Sequence, residues 1–158
     1  VLLTFHGWAT GSGRRAEHSY MLNPPSGSGL INVTLLTGME NFTAGAISFS
    51  GVNQGGGSLT FGNNASRGTP LNLNPNVTVN VSAANEVIVD TIAITSETTS
   101  MVPNMSQTQY WRNSTSTAGS QIQGGGSWRY GEAPNVTMIW TLGTTNTYVL
   151  RAVVIRPA

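Results

Sequence analysis

Apolar and polar residues alternate along most of this chain with a period of two, the spacing of a strand that buries one face. The clearest case is Asn76-Val77-Thr78-Val79-Asn80-Val81-Ser82, where three valines share one face and the polar residues the other. Residues 135–142 repeat it: Val136, Met138, Trp140 and Leu142 face in, Thr137 and Thr141 face out. Residues 31–35 predict a third strand, and Ile47 and Phe49 within residues 46–50 a fourth. Residues 86–94 and 148–155 are denser apolar runs, as expected of central strands covered on both faces. Residues 1–6 and 17–22 read as further strands, with weaker signals at 58–61, 107–112 and 127–130.

No window carries a 3.6-residue period, and β-branched residues are abundant. Turn chemistry separates the runs at Asn23-Pro24-Pro25-Ser26-Gly27, Gly55-Gly56-Gly57, Asn63-Asn64, Gly124-Gly125-Gly126 and Gly143. Many short strands at close spacing predict an all-β, two-sheet antiparallel sandwich, jelly-roll-like, of about eight to ten strands. No linker divides the chain, so residues 1–158 are expected to form one domain. A faint internal repeat aligns residues 54–62 with 123–131, 75–78 with 134–137 and 85–94 with 146–155. It predicts two similar strand–turn–strand units, with Asp90 and Arg151 in equivalent places.

Composition narrows the function. Only 8 % of the 158 residues are charged, against about 25 % in typical soluble proteins. Net charge is +1, so no strong field for nucleic acid or membrane is expected. All seven basic residues are Arg, which excludes lysine isopeptide cross-links, and the absence of cysteine excludes disulfides and thiolate metal sites. No apolar run reaches the length of a membrane-spanning helix, and no signal peptide is recognisable. The chain starts at Val1, which suggests a processed or partial sequence.

The residues that carry chemistry are few. His6, His18 and Asp90 are the only histidines and aspartate, and no Gly-x-Ser-x-Gly elbow accompanies them. The carboxylates Glu17, Glu40, Glu86, Asp90, Glu97 and Glu132 are scattered and suggest no paired acid and base. Asp90 sits inside an apolar run and reads as a structural acceptor or an Arg partner. Glu17 and His18 are adjacent on a strand and so point to opposite faces, which argues against a shared metal. The glycine triplets have no following lysine and are not phosphate loops; they read as flexible connections. No enzyme activity, cofactor or metal is expected.

Aromatics are the better candidates. Trp8, Trp111, Trp128 and Tyr130 fall in or near predicted loops and strand ends, where an exposed ring face stacks on a sugar. The bland alternative is that they cap the core; Trp140, alternating with Val136 and Met138, is core. Eight Asn-x-Ser/Thr sequons occur, at Asn32, Asn41, Asn64, Asn76, Asn80, Asn104, Asn113 and Asn135. In a host that glycosylates such sequons, several would carry outward glycans; otherwise they are bare amides on polar strand faces.

Glu17-x-x-Tyr20-x-x-Asn23-Pro24-Pro25-Ser26-Gly27, residues 46–54, Val87-Ile88-Val89-Asp90, Gln107-Thr108-Gln109 and the ending 152–158 carry a resemblance. They resemble an uncharacterised jelly-roll-like β-sandwich domain of secreted, surface and phage-associated bacterial proteins. The resemblance implies an extracellular, cell-surface or virion-surface module and brings no catalytic residues. The leading expectation is a structural subunit of an extracellular assembly, either a surface filament or sheath or a virion decoration layer. Its partners would be copies of itself or a capsid or surface scaffold. Val1, Leu2, Leu3, Thr4 and Phe5 would supply the joint by strand addition. The alternative is a non-catalytic carbohydrate-binding or adhesion module that uses the four aromatics.

Overall fold

The computed structural model describes residues 2–34, 41–95, 100–115 and 121–158, less the side chains of residues 69 and 70. The fold is all-β and antiparallel, with ten strands and one four-residue helix among those residues. The strands are β1 (Thr4–Gly11), β2 (Arg14–Tyr20), β3 (Phe61–Asn72), β4 (Asn76–Asn80), β5 (Val87–Ile94), β6 (Met101–Pro103), β7 (Thr108–Ser114), β8 (Gln123–Tyr130), β9 (Asn135–Leu142) and β10 (Asn146–Ile155). Helix α1 (Gly57–Thr60) immediately precedes β3.

A five-stranded sheet of order β3-β10-β5-β8-β7 packs on a three-stranded sheet of order β4-β9-β6, and β1-β2 form a separate hairpin. From β3 to β10 every connection passes between the two sandwich sheets except β7 to β8. Antiparallel pairing places directly opposed residues on one face. Ile88, Ile92 and Ile94 of β5 and Tyr148, Leu150, Ala152 and Val154 of β10 therefore meet Val77, Val79, Val136, Met138, Trp140 and Leu142 of the smaller sheet. That is the main core. The opposite face of the large sheet is covered by the hairpin, where Ala9 and Ala16 pack on Ala93 and Val149.

The two dense runs are the central strands β5 and β10, buried along both faces. The alternating runs became the half-buried β4 and β9. Several expectations are corrected. Residues 31–34 and 46–50 form no strand and pair with none of the described strands; residue 35 lies outside the described residues. Residues 58–60 are helical rather than extended. Asn63-Asn64 is not a turn but the interior of β3. The first two strands are a hairpin turning at Ser12 and Gly13, both with positive φ, so β1 extends past residue 6 and β2 starts before residue 17.

The largest correction concerns Gly124-Gly125-Gly126, which lies in the middle of β8 and not in a turn. A Cβ on Gly125 would come within 2.8 Å of the Met101 methyl and 3.0 Å of the Trp140 ring on the core side. On the other side, the space above Gly124 and Gly126 is filled by the Trp111 ring. The triplet is a strand segment pressed between two tryptophans, where any side chain would collide. This also breaks the proposed repeat, since the matching residues 54–62 are a loop, α1 and the start of β3. Residues 85–94 and 146–155 are instead sheet neighbours. Asp90 opposes Ala152 and faces the core, while Arg151 opposes Thr91 and faces out, so the two are not equivalent.

Candidate functional site

Two polar centres and one groove stand out. The first centre is the buried carboxylate of Asp90. One oxygen accepts from the Ser127 amide and the Ser127 hydroxyl, both at 2.8 Å, and the other from Trp140 Nε1 at 2.9 Å. Gln107 Nε2 donates to Ser127 Oγ at 2.7 Å, and Gln107 Oε1 accepts from the Ile139 amide at 2.7 Å. The chain of bonds ties β5, β8 and β9 together across the sandwich. Burial pushes the Asp90 carboxyl up to about 7, and the three donated hydrogen bonds act in the opposite sense. Asp90 is thus a structural acceptor and not an Arg partner. The carboxylate is fully enclosed, out of reach of a substrate.

The second centre lies beneath the hairpin, where His6, His18 and Arg151 gather. Glu17 points away to the exposed face and pairs with Arg15 at 2.6 Å, as strand alternation predicts.

The groove, about 420 Å³, runs over the ends of β5, β8 and β10. Its sequence logic is local. Trp128 and Tyr130 are two apart on β8 and so share the outward face. Residues 47–52 pass alongside, held by the Val52–Pro157 bridge and by a bond from the Asn53 amide to the Arg156 carbonyl at 3.1 Å. They bring Phe49 edge-on to Trp128, with centroids 5.9 Å apart and planes at 82°. Tyr130 also meets Trp128 edge-on, at 5.5 Å and 87°. Three rings therefore form a stepped aromatic wall, and Tyr130 is 61 % exposed at its outer end. Ser48, Ser50, Asn85 and Arg156 are the polar residues of the same lining. Arg156 is held by Glu86 Oε1 at 3.3 Å and by the Ser58 carbonyl. Glu86 is itself buried and accepts from the Ser82 and Ala83 amides, and among the described residues no carboxylate lines the groove.

The four stacking candidates thus separate. Trp128 and Tyr130 are brought together in the groove. Trp8 lies mid-strand on the exposed face of the hairpin, with the Arg15 guanidinium 5.2 Å from its ring centroid. Trp111 is spent on the glycine platform of β8, overlain by Gly45. Phe49, Asn85 and Arg156 were missed: Phe49 read as a strand residue, and nothing in the sequence shows that its segment crosses over β8.

The chain matches no family model, no curated protein and no solved structure.

The strand-addition candidates are only partly free. Thr4 and Phe5 already pair with Tyr20 and Ser19 in the hairpin, while Leu2 and Leu3 precede the strand and Val1 lies outside the described residues. Among the sequon residues Asn32, Asn64, Asn80, Asn104, Asn113 and Asn135 are exposed, and Asn41 and Asn76 are half-buried. Asn80 and Asn135 are directly opposed across β4 and β9, too close for a glycan on each. Asn64 accepts from Arg151, and Asn76 from Arg67 at 2.9 Å. Among the described residues, no cluster of His, Asp or Glu has the grouping of a metal site, and no helix is long and apolar enough to cross a membrane.

Proposed function

We propose that this chain is a non-catalytic carbohydrate-binding or adhesion module that holds a sugar in the Phe49–Trp128–Tyr130 groove. The observation that carries this reading is the convergence of two stacking candidates with a third ring and four polar side chains. The apolar C–H face of a pyranose stacks on the exposed Tyr130 ring, as sugars do on aromatic faces. Asn85, Ser48 and Ser50 then meet its hydroxyls. Among the described residues the lining carries no carboxylate, which supports binding rather than hydrolysis, since hydrolysis needs a pair. The setting is an extracellular, cell or virion surface, in keeping with the resemblance in the sequence. Fluorescence titration of the wild type and Tyr130→Ala against a panel of neutral glycans tests it. A saturable shift lost in the variant supports the groove; no shift with any glycan, or equal binding by the variant, removes it.

One observation favours the second reading, a self-associating structural subunit of a surface filament, sheath or virion decoration layer. Leu30, Ile31 and Val33 are 74 %, 51 % and 51 % exposed in a segment with strand alternation but no strand partner among the described residues. Such a segment gains hydrogen bonds and burial by adding to the sheet edge of another copy. Light scattering on the wild type and an Ile31→Asn/Val33→Asn double variant tests it. Assembly abolished in the variant supports this reading, and a monomeric wild type ends it.

A further inference from the structure

The β1–β2 hairpin is attached unlike any other strand. It forms its own two-stranded sheet, with no strand ladder to the sandwich. Its apolar contacts are Ala9 and Ala16 against Ala93 and Val149, and the Tyr20 ring against Phe61 of β3 at 4.5 Å. Beside them the interface is cationic. Arg151 of β10, 6 % exposed, reaches under the hairpin and donates to Asn64 Oδ1 at 3.2 Å; its other terminal nitrogen lies 3.2 Å from His6 Nδ1. A side chain on Gly7 would strike this guanidinium. The Arg151 Nε and both ring nitrogens of His18 are enclosed without a hydrogen bond of good geometry.

The groups around the cluster can be named from every side. The hairpin contributes His6, His18 and, at its turn, Arg14, whose Nε is likewise enclosed. Strand β10 contributes Arg151. Strand β3 contributes the neutral Asn64 and the Phe61 ring, 4.5 Å from the His6 ring; Tyr20 of β2 sits 6.3 Å from it. Strand β5 presents Thr91, Ala93 and the Asp90 backbone carbonyl, which accepts from the Tyr110 hydroxyl of β7 at 3.4 Å, while the Asp90 carboxylate lies on the opposite face. Among the described residues no carboxylate faces the cluster. A buried cation without a counter-charge makes each added proton costly.

We propose that the β1–β2 hairpin is an acid-released flap: proton uptake by His6 and His18 beside Arg151 lifts it off the five-stranded sheet while the sandwich stays folded. Release uncovers Ala93 and Val149, an apolar strip on the outer face. Burial first, then Arg151 and His6, hold docked His18 down to about 3; burial and Arg151 also lower His6. A histidine freed by opening titrates near its ordinary 6.5. The docked state thus binds fewer protons than the open one. Docking is strongest above pH 6.5 and weakens as pH falls from there towards the docked value. Each histidine that titrates fully on opening multiplies the opening constant about tenfold per pH unit.

Hydrogen exchange on the full chain between pH 4.5 and 7.5, corrected for the intrinsic rate, reads this directly. Below pH 6 the wild-type hairpin is expected to open more than about tenfold more per pH unit lost, while β5 and β10 remain protected. His18→Leu lowers that slope to at most about tenfold, and His6→Gln lowers it independently. If His18→Leu does not fold, the His6→Gln slope decides alone. Equal slopes in wild type and the folded variants, or hairpin and central strands opening together at every pH, overturn the proposal.

Discussion

Asp90 offers the sharpest test of how this core is held. Two opposed effects act on its carboxylate: enclosure favours the neutral acid, and three donors favour the anion. The structure has enclosure winning, with the group raised from 3.8 to about 7. The sign then follows. Between those values the folded chain keeps a proton that the unfolded chain has lost, so the Asp90 contribution to stability is highest at acid pH and falls as pH rises through about 7. The full interval corresponds to on the order of 4 kcal/mol, near 1.4 kcal/mol per pH unit. Asp90→Asn keeps the volume and removes the titration. Its amide meets the Trp140 N–H poorly, which lowers stability by a constant amount and leaves the slope to be read. Urea unfolding by tryptophan fluorescence at pH 4, 5, 6, 7 and 8 gives wild type minus variant, and histidine contributions cancel in that difference. The difference should shift against the wild type by roughly 4 kcal/mol from acid to alkaline pH. A flat difference, or one that moves in favour of the wild type as pH rises, would refute the reasoning and show that the donors outweigh burial.

Other outcomes are equally definite. Gly125→Val forces a side chain into Met101 and Trp140 and should cost about 1–3 kcal/mol or more, seen as a lowered melting temperature; an unchanged melt would mean β8 is not pressed between the tryptophans. Ile92→Ala, in the main core, should cost about 2–5 kcal/mol in chemical denaturation, and a loss below that range would place it in a looser region. Tyr130→Ala should weaken glycan binding roughly tenfold or more while changing stability by at most about 0.5 kcal/mol, since the ring is exposed; a large stability loss would mark it as a packing residue.

Wherever one face is buried and the other wet, strand spacing was enough to find the element. Val77, Val79, Met138 and Trp140 went to the core because their period matches the pleat. The doubly covered strands β5 and β10 were equally legible as apolar runs. Asp90 announced itself as an acceptor because an unpaired polar group in such a run is too costly to bury. The failures share another cause. Residues 31–34 have the alternation of a strand, but a strand also needs an edge to pair with, and no local pattern supplies one. The glycines of β8 looked like a turn because glycine's usual reason is backbone freedom. Here the reason is room for Trp111 and Trp140, which come from β7 and β9.

The groove divides the same way. Alternation along β8 put Trp128 and Tyr130 on one face, so half of the aromatic wall is written in the sequence. Phe49, Asn85 and Arg156 arrive from three separate segments, and only the crossing of residues 47–52 over the end of the large sheet unites them. The gathering of His6, His18 and Arg151 likewise depends on docking two strands against a third far along the chain. Side-chain period is a local property of the backbone and is fixed residue by residue. Which faces meet is decided by the burial of all of them at once, and that belongs to the tertiary structure alone.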